Sequence, residues 1–205
     1  MIDTKKLNTT ADAMRSRVSI RRYTDAPVPQ EDVLEAIELA GNAPSAFNLQ
    51  PWRFHVVRDS ETKSRLQAAA MNQAQVGAAP VLLVLTSDME DVMANLEDVL
   101  HPGLPEEKRV GTKGYLESMF GGLTVQQRAE WGRNQTNIAL GYLLVALESM
   151  GYGSSPMLGF DADAVRAVLG LPQHVEIVAL VSIGHPAEEG FPKHRHPVET
   201  ILRAA

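Results

Sequence analysis

"SRVSIRRYTDAPVPQEDVLEAIELAGNAPSAFNLQPWRFHVV", residues 16–57, runs from a basic cluster through a helix and a proline-punctuated loop into a strand. Arg17 and Arg21 are four apart and share a face of a helix; if the segment is extended, Arg17, Ser19 and Arg21 share one side of it. Pro29 suits a first helical turn, Glu31 and Asp32 favour the positive helix end, and Val33, Ile37 and Ala40 fall on one face. The spacing predicts a helix from Pro29 to Ala40 with Gly41 as its cap. "GNAPSAFNLQPW" is loop by composition, with Trp52 expected in a core, and "RFHVVRD" alternates as a strand.

Working outward, "ETKSRLQAAAMNQAQV" predicts one further helix, and "APVLLVLTS", from Ala79, a strand buried on both faces. Residues 88–128 are acidic, then punctuated by Gly and Pro, and are expected to form a variable, mobile, lid-like excursion with short helices. Asp88, Glu90, Asp91, Glu97 and Asp98 are expected to decorate a helix rather than act as paired acids. A long helix is expected from Val125 to Met150, apolar nearly all round in its second half. "GYGSSPMLGF" reads as strand and loop, "DADAVRAVLG" as a helix capped by Asp161 and ended by Gly170, and "HVEIVALVSIG" as another buried strand. Residues 184–205 have the composition of an extended C-terminal arm. Helices outnumber strands in an order unlike a βαβ alternation, so the expected class is α+β, a central sheet with helices around it, in a single domain over residues 1–205.

The chain has 205 residues, 44% apolar and 21% charged, enough to bury a core without staples. It has no cysteine, which excludes disulfides, thiolate metal sites and a cysteine nucleophile. The N-terminal residues lack the apolar core of a signal peptide, and the longest apolar run, Ala139 to Leu147, is far below the roughly 20 residues that span a bilayer. A soluble, unanchored, cytoplasmic protein is expected. The net charge of −6 opposes broad attraction to nucleic acid or to a membrane surface, so any anion bound must be small and locally clamped.

Lys193 and Arg195 form a second basic pair near the other end of the chain. Two such clusters can converge on one phosphate, or can simply be solvated. "APSAFNLQPWRF" offers the amides of Asn48 and Gln50, or is only a stiffened turn. No GxGxxG, GxxxxGK[ST], GxSxG or HExxH is present. His185, His194 and His196 lack a carboxylate at ligand spacing and Arg195 repels a dication, so no metal is expected. Met71, Met89, Met93, Met119 and Met157 are expected to fill gaps in the core.

Taken together, residues 16–57, "NQAQVGAAPVLLVL", "GYGSSPMLGFD" and "PKHRHPVETIL" resemble, in order and spacing, the FMN-dependent nitroreductase family. The likeness covers nearly the whole chain and is weakest at 88–128. It implies a nitroreductase-like fold with a central mixed, mostly antiparallel sheet, in an intertwined homodimer with two FMN molecules at the subunit interface. Carried over by position, Arg17, Val18 and Ser19 hold the FMN phosphate with Lys193 and Arg195. Arg21 lies by the pyrimidine end of the ring, leaving Arg22 on the surface. Pro44, Ser45, Ala46 and Asn48 contact FMN from the other subunit, and Asn72 and Gln75 the polar edge of the ring. Many relatives have lysine in place of Gln75, and glutamate in place of Leu158. In "PMLGFD" the stretch Met157, Leu158 and Gly159 covers the ring with its backbone.

The resemblance implies NAD(P)H as reductant, ping-pong kinetics, and electron-poor acceptors such as nitroaromatics or quinones. The excursion, with Tyr115 and Phe120, is expected to form the lid over the acceptor. No side chain at a matched position reads as a catalytic acid, base or nucleophile. The competing readings are an FMN carrier or redox sensor without turnover, a related flavin reaction such as enal or carbonyl reduction or dehalogenation, and a flavin-free interaction protein.

Overall fold

The computed structural model describes residues 9–204; the domain expected over 1–205 extends at both ends onto residues outside these. Four strands, β1 (Trp52–Val57), β2 (Val81–Ser87), β3 (Gly153–Met157) and β4 (Glu176–Gly184), form one sheet in the order β1-β2-β4-β3. All three pairings are antiparallel, with one irregularity between Leu85 and Thr86. The sheet is thus antiparallel, in keeping with the mostly antiparallel α+β fold expected, and among the described residues parallel pairing is limited to an isolated bridge between Ser19 and Ser154.

β2 is buried along its whole length, as its uninterrupted apolar run requires. One sheet face, with Val81, Leu83, Leu85, Val181 and Ile183, packs on α2 (Gln30–Gly41) and α7 (Val125–Ser149). The other, with Leu82, Val84 and Leu180, packs on α3 (Ser60–Ala69), α4 (Ala74–Ala78) and α8 (Ala162–Leu169). No helix among the described residues is long and apolar enough to cross a membrane.

Local chemistry explains most element ends. Asp161 accepts from the Asp163 and Ala164 amides at the start of α8, and Gly170 ends it at φ +66°. Thr124 and Gln127 form a reciprocal capping box on α7. Gly41 is not a cap: it is the last helical residue of α2, and Asn42 follows at φ −74° with its side-chain amide donating to the Glu38 carbonyl. The single helix expected over residues 61–76 is two, because Met71 and Asn72 adopt positive φ and reverse the chain between α3 and α4.

The excursion holds α5 (Met89–Ala94), a 3₁₀ turn at Leu96–Val99 and α6 (Glu106–Gly121). α6 has 16 residues and is not short, because Leu116 and Phe120 anchor it in a separate apolar cluster with Leu49, Met89 and Leu96. Asp88 caps α5, Glu90 pairs with Arg128, and Glu97 pairs with Arg109 and Lys113, so these acids serve structure.

The chain ends meet through backbone pairing. After α1 (Thr10–Ser16), residues 17–21 run extended beside β3, with the Ile20 amide donating to the Ser154 carbonyl at 3.0 Å. The Thr24 amide donates to His185 O and the Ala187 amide to Arg22 O, so the segment leaving β4 lies along residues 22–24. At Gly190, φ is +72° and a Cβ would stand 2.8 Å from Val18 Cγ2, so only glycine lets the arm turn back here. The arm then passes residues 17–21 before α9 (Val198–Ile201).

Gly153 sets the approach of the N-terminal segment to the sheet, since a Cβ there would lie 2.9 Å from Ile20 Cβ. Gly153→Ala is therefore expected to destabilise the fold by about 1–3 kcal/mol, read as a lowered urea midpoint at unchanged slope.

Candidate functional site

Arg17, Val18, Ser19, Arg21, Phe191, Pro192, Lys193 and Arg195 line one cavity of about 210 Å³. The two basic clusters, over 170 positions apart in the chain, thus face a common space. Because 17–21 is extended, Arg17, Ser19 and Arg21 share one side while Ile20 turns into the core. Glu188 accepts from the Arg21 amide at 2.7 Å and the Arg22 amide at 3.3 Å, fixing the backbone that carries Arg21. The side chains of Arg21 and Arg22 are exposed.

Arg17 Nη1 is buried and has no hydrogen-bond partner among the described residues. Burial lowers the Arg17 pKa from its ordinary value; nearby Glu148 opposes this and Arg195 adds to it. Lys193 is also held below the ordinary lysine value, by desolvation first and then by Arg17 and Arg195. Its ammonium donates to the Met14 carbonyl at 2.7 Å and to the Arg15 carbonyl, at the negative end of α1. Several cations converging on one cavity form a site for an anion, and a phosphate has the charge and acceptor count to fill it.

The other residues singled out in the sequence lie outside this cavity's lining. Pro44, Ser45, Ala46 and Asn48 belong to a loop with a 3₁₀ turn at Ala46–Asn48, where Phe47, Asn48 and Gln50 all have positive φ. The loop is held by the Ala46 amide donating to Gln135 Oε1, the Gln50 amide to Ser45 Oγ and the Asn48 side chain to the Val99 carbonyl. Together with Met71 and Asn72, these are all the non-glycine residues of positive φ among the described ones. Such conformations cost on the order of 1–2 kcal/mol each and concentrate where a ligand is gripped.

Asn72 is exposed, and Gln75 is buried with its amide 3.3 Å from Gln73 Oε1 and 3.2 Å from Met157 Sδ. Gln73 donates to the Gly159 carbonyl at 2.9 Å, and the Asp161 amide to Ala69 O, so the loop after α3 is tied to residues 157–161. Met157 is buried, whereas Leu158 and Met71 are more than 70% exposed. Met71 is thus no core filler, because the turn at positive φ aims it outward. Tyr115 is exposed with its ring 5.7 Å from that of Phe47. Phe120 is corrected: it has no exposed surface and packs edge-on against Trp131, so it anchors α6 and cannot touch an acceptor.

Gln73, Gln135 and Glu188 were not singled out by sequence reasoning. Their partners are 86, 89 and 167 positions away, and no local pattern marks them.

The cavity's charge predicts a pH dependence. An anion restores Lys193 towards its ordinary pKa of about 10.4, so binding takes up a proton wherever free Lys193 is partly neutral. The affinity for phenyl phosphate is therefore expected to fall as pH rises through the lowered Lys193 value, with proton uptake in that range detected by calorimetry in two buffers of different ionisation enthalpy.

Comparison with known proteins follows the same lines. The profile of the Nitroreductase family matches residues 14–185. Over 190 residues the chain is 51% identical to the NADH dehydrogenase of Thermus thermophilus, covering 93% of each chain. It is 32% identical over 197 residues to the FMN reductase (NAD(P)H) of Bacillus subtilis, covering 95% of this chain and 73% of that one. Among solved structures, a protein of Exiguobacterium sibiricum in complex with FMN superposes with a TM-score of 0.88 at 25% identity, covering 97% of this chain and 98% of that one.

Proposed function

Since the chain belongs to the nitroreductase family, we propose that it is an FMN-dependent oxidoreductase that takes electrons from NAD(P)H and passes them to electron-poor acceptors such as nitroaromatics or quinones. One observation carries this reading: Arg17, Lys193 and Arg195, from segments far apart in the chain, line one cavity, and the buried Arg17 Nη1 has no hydrogen-bond partner among the described residues. A phosphate monoester fits that donor set. Arg17, Ser19, Lys193 and Arg195 would hold the FMN phosphate, with Val18 at the edge of the same cavity. Bound FMN supplies the two-electron exchange between reductant and acceptor.

The protein's own part is to bind, orient and tune. Arg21, one step further along the same side as Arg17 and Ser19, presents a positive charge to the pyrimidine end of the ring, where negative charge gathers on reduction. Asn72 and Gln75 would meet the polar edge of the ring, and the backbone at Leu158 and Gly159, braced by Gln73, would cover it. Gln75 is a neutral donor and supports negative charge less than a lysine would. No side chain is assigned as acid, base or nucleophile. Reductant and acceptor would occupy the one site in turn, and ping-pong kinetics are expected.

The site is built from two chains. Pro44, Ser45, Ala46 and Asn48 do not line the cavity of their own subunit, and in this reading they serve the partner's. A homodimer is supported by the apolar groove of about 770 Å³ lined by Met14, Leu39, Ile138, Tyr142 and Val145 on α1, α2 and α7. The arm also presents Phe191, Val198, Ile201 and Leu202 to solvent in the single chain, apolar surface that a second subunit would cover.

The test of the reading is the visible spectrum of the purified protein before and after anaerobic addition of NADH or NADPH. Yellow protein that bleaches faster than free FMN is expected. Slow bleaching leaves an FMN carrier, and colourless protein that takes up no FMN contradicts the proposal. Arg17→Ala is expected to weaken FMN binding tenfold to a hundredfold, as loss of a charge-assisted contact of about 1.5–3 kcal/mol implies. Arg21→Ala is expected to affect affinity less and to lower the flavin midpoint potential, measured by dye-coupled reduction.

A further inference from the structure

Phe47, Leu104, Lys108, Gly111, Thr112 and Tyr115 line a second cavity, of about 440 Å³, under α6. It adjoins one of about 320 Å³ that shares Phe47, Leu104 and Thr112, so the two form one cleft. Positions 108, 111, 112 and 115 follow i, i+3, i+4 and i+7 spacing, a single face of the helix. The buried residues Leu116 and Phe120 lie on another face.

The cations of α6 are divided between these faces. Arg109 and Lys113 are neutralised by Glu97, at 3.1 and 2.9 Å. Lys108 has no hydrogen-bond or ion-pair partner among the described residues, and it borders the cleft. Gly111 is a second, independent feature. Glycine inside a helix costs about 0.5–1 kcal/mol relative to alanine, and a Cβ at Gly111 would meet nothing within 4 Å. Packing therefore does not demand glycine there; its effect is to leave the floor of the cleft flat. Phe47, held at φ 55°, and Tyr115 set two exposed rings at the mouth, tilted by 55°.

We propose that this cleft binds flat aromatic molecules carrying a carboxylate, with the rings of Phe47 and Tyr115 against the aromatic part, Gly111 beneath it, and Lys108 as the recognition cation. One ammonium beside the Thr112 hydroxyl matches a monoanion, whereas the many-cation cavity at Arg17 matches a phosphate. On a chain of net charge −6, an anion finds a favourable approach only where a cation is locally free. The inference rests on the preceding reading only in taking such molecules to be the acceptors, so that aromatic carboxylates are the preferred acceptor class.

Calorimetric titration of the protein as purified with 2-naphthoate and with 2-naphthamide, ligands of the same shape and different charge, needs no turnover. The carboxylate is expected to bind about fivefold more tightly than the amide, the upper end for a partly exposed ion pair. Lys108→Gln should equalise the two, and Lys113→Gln, the same charge change on the other side of the helix, should leave the preference in place. Gly111→Leu should abolish binding of both. Equal affinities in the unaltered protein, a preference that survives Lys108→Gln, or no binding of either ligand overturns the proposal. Colourless protein that takes up no FMN and still prefers the carboxylate would sink the FMN reading and keep this one, while yellow, reducible protein without the preference would do the reverse.

Discussion

Four cationic side chains, Arg17, Arg21, Lys193 and Arg195, line one small cavity, and that arrangement must be held against their repulsion. Backbone pairing does the holding. Ile20 is bonded to Ser154 on β3, Thr24 to His185 and Arg22 to Ala187, and glycine at 190 turns the arm back over Val18. Each such bond contributes only about 0.5–1.5 kcal/mol, but together they leave the chain ends no other path. Burial is the main cause that lowers the pKa values of Arg17 and Lys193, and the neighbouring cations add to it, a penalty that a bound anion offsets.

The rest of the molecule divides into a rigid part and a strained part. The sheet, buried on both faces along β2, fixes β3 and β4 and so the geometry of the basic cavity. Among the described residues, positive φ at non-glycine positions is confined to the loops at 47–50 and 71–72; the Ala46 amide beside the first is held by Gln135, and Gln73, beside the second, ties it to the Gly159 carbonyl. Each loop carries one of the residues expected at the cofactor, Asn48 and Asn72, and a scaffold without slack is what lets such conformations persist. The cluster beneath α6 gives the excursion its own anchor, so its outer face is free to differ in chemistry without disturbing the sheet.

Elements with local causes were legible. Asp161 and Gly170 bracket α8 where the cap residues fall, and the unbroken apolar runs became β2 and β4, both almost wholly buried. The meeting of Arg17 with Lys193 and Arg195 was legible through family resemblance, since charge alone left solvation open. The break between α3 and α4 was not legible, because Met71 and Asn72 carry positive φ without a glycine or proline to announce it. Phe120 was misplaced because an aromatic residue in a variable segment reads equally as lid or as anchor until its packing on Trp131 is known. Glu188, Gln73 and Gln135 act across the fold, and their spacing in the chain carries no signal.

The central claim is that side chains from both ends of the chain recognise one phosphate, and comparing FMN with riboflavin, which differs only by that group, tests it most directly. Equilibrium dialysis should find FMN bound about a hundredfold more tightly than riboflavin, with the difference lost when Arg17 and Lys193 are both replaced by alanine. Equal affinities for the two flavins in the unaltered protein would contradict the account.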